Sequence, residues 1–291
     1  MDLNDQEIVE RMRHPETLTR EVVDQYYTRC IPFYQEILGH HWHTGYYLDD
    51  DQPIGPRDQL RMERRIANSA SVEPECQILD VGCGIGGPAC HLATFTGARI
   101  RGLTPNAAQL RLARKLAMAG DLTAWVSFDE GSATALPYAD STFDVVLFFE
   151  SPCHFIDRHQ FFQEAWRVLR TGGRLAGEDW LAADGLGSIE MRNYVRPICE
   201  TWAISTLGTR SEYASAMATT GFTVKDAVDL RDEMPLLRGF LVDELDRAEV
   251  REAHASTADP IRKIILEGLM RLGEAAEARA FTVGRFLAVK D

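Results

Sequence analysis

The sequence predicts an α/β fold: a doubly wound, mostly parallel sheet of seven strands, with a helical N-terminal lid and a helical insertion near the C-terminus. Three observations carry this reading. The apolar run Ile78-Leu79-Asp80-Val81 empties into the glycine turn Gly82-Cys83-Gly84-Ile85-Gly86-Gly87-Pro88, and Ala89-Cys90-His91-Leu92-Ala93 reads as the opening of a helix. Strand-like runs then alternate with helical ones as far as Gly177, as expected of parallel strands buried on both faces. Finally, Asp80, Thr104 and Glu150 fall at the carboxyl ends of such runs, where ligands bind in sheets of this kind.

Taken in order, residues 1–56 read as two helices and a lid loop, and 57–291 as the main domain with a helical cap at about 236–277. The second helix carries Val22, Val23, Tyr26, Tyr27, Cys30 and Phe33 at three-to-four spacing. This stripe either packs on the main domain or serves as a lid or a subunit contact, the latter allowing a homo-oligomer. Gly39 to Tyr47, followed by Asp49-Asp50-Asp51, Pro53 and Gly55, is a loop. Its His40, His41 and His43 invite a metal, yet no cysteine or carboxylate pair stands beside them at ligand spacing, so no metal is expected. Lid, substrate wall and ordinary surface loop remain open for it.

A helix from about 56 to 68 leads into the first strand. The second strand is Arg99 to Leu103, with the turn Thr104-Pro105-Asn106 after it and a helix to Ala119. Trp125 to Phe128 is a short third strand broken by Asp129-Glu130-Gly131-Ser132-Ala133, and Phe143 to Phe149 an apolar fourth. An amphipathic helix spans 158–170, and Gly172-Gly173 starts a fifth strand, Arg174 to Gly177. Past Trp180, helices are expected over 189–204 and 211–220, and strands at Phe222 to Val224 and Phe281 to Val289. Between these last strands, Ile261, Ile264, Ile265, Leu269 and Leu272 form a helical stripe that is either sheet cover or substrate wall.

With 291 residues and 45% hydrophobic content, one large domain with a cap suffices. A formal charge of −13 with no cluster of five or more Lys/Arg disfavours nucleic acid and anionic membranes as partners. The six cysteines are scattered, no secretory leader is visible, and no apolar run approaches the roughly 18 residues that span a bilayer. A reduced, cytoplasmic setting is expected, so a greasy substrate would have to be hidden in a pocket.

The glycines fit G-x-G-x-x-G, which alone is a weak signal for a dinucleotide. No carboxylate ends the second strand to hold a ribose, and Asp80 just before the turn would repel a pyrophosphate. A ligand bearing an ammonium or sulfonium group suits it better.

Leu79-Asp80-Val81-Gly82-Cys83-Gly84-Ile85-Gly86-Gly87-Pro88-Ala89 resembles the first motif of class I S-adenosylmethionine-dependent methyltransferases. The likeness continues through Thr94 to Ala98, Gly102-Leu103 and Phe143-Asp144, and through Glu150-x-x-Cys153-His154-x-x-Asp157 to Arg167-Val168-Leu169. Within that Rossmann-like superfamily it looks most like the sterol C-methyltransferase group. The resemblance implies that S-adenosylmethionine is the cofactor. Gly82, Cys83 and Gly84 would line its methionine portion, with Asp80 supporting the loop or the ammonium and Thr44 reaching the carboxylate from the lid. Thr104, Pro105 and Gln109 would meet the ribose, Gly131, Ser132 and Ala133 the adenine, and Phe149 the methionine end.

The implied activity is methylation of a small apolar or prenylated metabolite, with an alkene carbon of terpenoid type as the favoured acceptor. Glu150 follows a strand of Val, Leu and Phe, where an unpaired carboxylate is costly without a role. It could stabilise a cation left on the acceptor, helped by aromatic faces from Trp42, Tyr46, Tyr47 or Phe155, and His154 could accept the proton. Two other readings stay open: O- or N-methylation with His154 as general base, and a cyclase or scaffold that retains the cofactor without methyl transfer.

Overall fold

The computed structural model describes residues 2–48, 55–234, 236–239, 241 and 248–291. The acidic run at 49–51, Pro53 and part of the 236–277 cap lie outside the described residues. Seven strands form one sheet in the order β3-β2-β1-β4-β5-β7-β6. They are β1 Gln77–Val81, β2 Arg99–Thr104, β3 Val126–Glu130, β4 Phe143–Phe149, β5 Leu169–Ala182, β6 Thr223–Asp229 and β7 Phe281–Val289. The first five are parallel, and β7 runs antiparallel to both β5 and β6. Because β1 sits between β2 and β4, chain order reverses there and opens a crevice at the strands' carboxyl ends.

The crossover helices are α3 Pro56–Ser69, α4 Gly87–Thr96, α5 Ala107–Ala119 and α6 Arg158–Val168, ahead of β1, β2, β3 and β5 respectively. Ile78, Leu79, Val145, Val146, Leu147 and Phe148 are almost wholly buried, as strands covered on both faces require. Asn106 caps α5 and Asp157 caps α6 through their side chains, which explains why each helix starts where it does.

In front lie α1 Asp5–Met12 and α2 Arg20–Leu38. Val22, Tyr26 and Cys30 are buried within the chain, each large side chain contributing about 1.5–3 kcal/mol. Tyr27 and Val23, on the adjacent face, line a cavity over the sheet. The stripe therefore both packs and walls. After β5 come α7 Ser188–Glu190, a π-helical stretch Met191–Val195, α8 Arg196–Thr201 and α9 Arg210–Thr220. After β6 come α10 Leu230–Glu233, α11 Leu236–Gly239, α12 Ala248–Ser256 and α13 Pro260–Glu277. On α13, Ile264 and Ile265 are core while Leu269 and Leu272 face the cavity, so that helix too has both roles.

Several boundaries differ from the sequence reading. Asp129 and Glu130 do not break β3, because they pair with Leu103 and Thr104 of β2. Strand β5 runs far beyond Gly177, since β7 pairs with it from Arg174 through Ala182 and draws Glu178, Asp179 and Trp180 into the sheet. The helix expected over 189–204 is three short pieces, interrupted by the π-helical stretch and closed at Thr201 before Ala203 turns to φ 52°. Strand β6 extends to Asp229 for the same reason as β5, its pairing with β7.

The lid loop passes very close to α4. A Cβ on Gly87 would stand 1.9 Å from the carbonyl oxygen of His40, so only glycine lets the two backbones meet. Gly87→Ala is expected to cost about 1–3 kcal/mol and to loosen the loop. Urea unfolding and limited proteolysis within 39–48 would read both effects.

Candidate active site

A cavity of about 1300 Å³ lies over the carboxyl ends of β1, β2, β3 and β4 and runs beneath the lid and α2. At one end the chain leaves β1 through a turn in which Gly82 and Cys83 both donate to the carbonyl of Leu103, at 2.8 and 3.0 Å. Gly82 has φ 79°, and Ser151 lies 2.4 Å from where its Cβ would be, with Ser151 Oγ donating to Val81 O at 2.6 Å. A side chain at 82 is thus excluded by both torsion and space. Among the described residues, Trp42 alone comes within 4 Å of a Cβ position on Gly84, so bare backbone faces the cavity.

Asp80 borders this turn, 2% exposed, and its Oδ2 has no hydrogen-bond partner among the described residues. Burial, and secondarily the charge of Glu63, push its carboxyl up to about 7. Thr104 Oγ1 donates to Gln109 Oε1 at 2.8 Å, and Asn106 Nδ2 reaches Asp24 Oδ1 and Thr28 Oγ1 at 2.8 and 2.7 Å. Asn106 thereby fastens α2 to the end of β2.

At the end of the adjacent strand, Glu150 sits directly after β4 with φ 45°, a left-handed conformation costing about 1–3 kcal/mol in a non-glycine residue. Its N–H donates to Glu178 O at 2.9 Å, and its Oε1 accepts the Thr44 N–H at 2.9 Å. Glu178, on β5 beside Phe149, is fully buried, and its oxygens have no hydrogen-bond partner among the described residues, with His43 Nδ1 3.8 Å from Oε1. Burial and then the neighbouring Glu150 push the Glu178 carboxyl well above the usual carboxylate range. Burial raises Glu150 as well, against the hydrogen bond from Thr44.

His154 Nε2 lies 2.7 Å from Tyr27 Oη, and burial lowers its pKa to about 4. The unfolded chain binds this proton below about pH 6.5 and the folded chain only below about 4. Stability is therefore expected to fall as pH drops from 6.5 to 4, and His154→Asn to remove part of that slope, measured by urea unfolding at pH 7 and pH 5.

The loop histidines do find a carboxylate. Glu63 of α3 is fully buried, with His41 Nδ1 at 2.6 Å and His43 Nε2 at 2.9 Å from its Oε1, and His91 Nδ1 against its Oε2. No spacing argument within the loop could reveal this, because Glu63 stands on α3, outside the loop.

Residues 79–177 match the family model described as a methyltransferase domain. Methyltransferase GfsG of Streptomyces halstedii is 32% identical over 220 residues, which is 75% of this chain and 78% of that one. The chain belongs to the S-adenosylmethionine-dependent methyltransferases. Sterol 24-C-methyltransferase erg-4 of Neurospora crassa is 31% identical over 233 residues, covering 77% of this chain and 59% of that one, so this chain spans less than two thirds of that relative. Among solved structures, the [4+2]-cyclase SpnF superposes with a TM-score of 0.77 at 21% identity, over 94% of this chain and 96% of that one. That likeness shows the class I methyltransferase fold.

The cofactor of this methyltransferase is S-adenosylmethionine, and the cavity fits it: the partnerless Asp80 Oδ2 and the bare backbone at Gly84 await a cationic ligand with an extended polar part. Thr44, Asp80, Gly82, Cys83, Gly84, Thr104, Pro105, Gln109, Gly131, Ser132, Ala133 and Phe149 all line the one cavity, together with Glu150 and His154. Tyr46 does not, contrary to expectation. Its ring lies under the Arg65 guanidinium at 4.6 Å, and it is Tyr47, on the other side of the extended segment, that faces inward. Tyr27 enters the wall as part of the stripe that could serve as a lid, whereas Trp180 in the wall and Glu178 behind Glu150 were not foreseen. For Glu178 a signal existed: two acids, Glu178 and Asp179, interrupt the otherwise apolar run from Leu175 to Leu181.

No helix among the described residues is long and apolar enough to cross a membrane.

Proposed function

We propose that this methyltransferase adds a methyl group to an alkene carbon of an apolar, terpenoid or prenylated small molecule. Glu150 carries the reading: a strained carboxylate at the junction between the glycine turn and a chamber walled by Tyr27, Phe33, Tyr34, Trp42, Trp180 and Trp202. Leu266, Leu269 and Leu272 of α13 close the far side. Two arginines reach the lining, and both are engaged, Arg20 with Thr134 Oγ1 and Arg262 over the Phe33 ring at 5.2 Å. Such a chamber favours a neutral, greasy acceptor over an anionic one.

S-adenosylmethionine, when bound, supplies an electrophilic methyl group. Gly82, Cys83 and Gly84 hold its methionine portion through backbone, Asp80 its ammonium and Thr44 its carboxylate. Thr104, Pro105 and Gln109 meet the ribose, Gly131, Ser132 and Ala133 the adenine, and Phe149 flanks the methionine end. The chamber aligns the acceptor at near-attack distance and excludes water. Glu150 stabilises positive charge left on the acceptor, aided by the aromatic faces, and Thr44 keeps its carboxylate aimed. The proton lost from the acceptor goes to Glu150 or to neutral His154.

The test is incubation with a prenylated or terpenoid panel and cofactor labelled with carbon-13 at the methyl. Carbon–carbon coupling in the product supports the reading, and label found only on oxygen or nitrogen overturns it. Methylation at oxygen with His154 as base is the second reading, favoured by its contact with Tyr27. Since His154 is neutral well below pH 6, its titration is expected to leave kcat/KM flat from pH 6 to 9 at saturating cofactor, as a pH–rate profile would show.

A further inference from the structure

We propose that His41, His43 and Glu63 form a divalent transition-metal site that staples the lid loop to the core. His41 Nδ1 and His43 Nε2 converge on the same oxygen, Glu63 Oε1, at 2.6 and 2.9 Å, and the three ligand atoms all lie within 4.8 Å of one another. Two imidazoles and one carboxylate are a donor set for zinc, cobalt or nickel, leaving room for water in the remaining positions.

The hydrogen bonds around these groups fix which atoms are free to ligate. His43 Nδ1 lies 2.9 Å from the carbonyl of Thr44, which can only accept, so Nδ1 carries the proton. In the neutral ring, Nε2 then presents its lone pair to Glu63 Oε1. Two electron-rich atoms would face each other with the His43 side chain 1% exposed and Glu63 0%, unless a cation lies with them or the ring takes a second proton.

On the other oxygen of Glu63, the His91 ring is oriented by Arg64 Nε, which donates to its Nε2 at 3.2 Å. His91 Nδ1 therefore carries hydrogen and donates to Glu63 Oε2, leaving Oε1 for a metal. Each of these two ligands thus has the outer partner that metal-binding residues use to hold their orientation. His41, with its side chain 20% exposed, gives a way in. Two ligands come from the lid and one from α3, so a bound ion would fix the stretch that carries Trp42, Thr44 and Tyr47 into the cavity wall.

The experiment is calorimetric titration of the untagged, chelator-treated protein with Zn2+, with Co2+ absorption and thermal unfolding alongside. One equivalent of Zn2+ is expected to bind and raise Tm, and Co2+ to show a visible ligand-field band. Both signals should be lost in Glu63→Gln and in the more exposed His41→Ala, and His91→Asn should bind about 10–100-fold more weakly. Far-UV circular dichroism of each variant reports whether it folds, and His41→Ala serves where Glu63→Gln does not. Absence of stoichiometric binding, or equal binding by wild type and His41→Ala, overturns the proposal and leaves a hydrogen-bonded clamp around a protonated His43. Neither outcome depends on methyl transfer, so the acceptor reading stands or falls separately.

Discussion

Glu150→Gln is expected to lower turnover by about 10²–10⁴-fold, the range lost when a positioned acid–base group is removed. The amide keeps the shape and its carbonyl oxygen can still accept the Thr44 N–H, so lid and backbone should stay in place. What disappears is the negative charge beside the aromatic chamber and the site for a leaving proton. Cofactor affinity should change little, because the glycine turn and Asp80 are untouched and the Thr44 contact is kept. Steady-state methyl transfer together with calorimetric binding of S-adenosylhomocysteine would separate the two. Turnover within threefold of wild type would show that Glu150 has no part in the chemistry.

The second large effect is expected at Asp80. In the free protein its carboxyl titrates at about 7, because burial disfavours the charge and Glu63 adds to it. An ammonium group needs the ionised form, so binding should release a proton below pH 7. Cofactor affinity should rise from pH 6 to 8 and then level off. Asp80→Asn is expected to bind the cofactor about tenfold to a hundredfold more weakly at pH 8, the loss of one charge-assisted hydrogen bond, and to show no such rise. The same raised carboxyl makes the free protein less stable as pH climbs from 3.8 to 7, since the unfolded chain gives up that proton first. Titrations in buffers of differing ionisation enthalpy, with wild type and Asp80→Asn, would measure the proton count. An unchanged affinity in the variant would remove Asp80 from cofactor binding.

The sheet was legible because its signals are local. An apolar run, four glycines and a helix start, all between Ile78 and Ala93, define β1, its turn and α4, and backbone torsion at Gly82 follows from residue type alone. The position of Glu150 at the end of β4 could be read in the same way, since its run of Phe, Val and Leu stops there. Lengths of β5 and β6 could not be, because both are set by pairing with β7, whose Val289 lies opposite Arg174 of β5 and Thr223 of β6, far along the chain.

Contiguous residues therefore determined the fold, the cofactor and the carboxyl ends of β1, β2 and β4, through torsional preference and hydrophobic period. Packing alone decided which distant side chains share an environment. It set Glu178 against Glu150, turned Tyr47 rather than Tyr46 into the cavity, and brought Glu63 and His91 to the loop histidines. The reason is physical: the energy of a buried charge depends on the groups a few ångströms away in space, and a sequence states only neighbours along the chain.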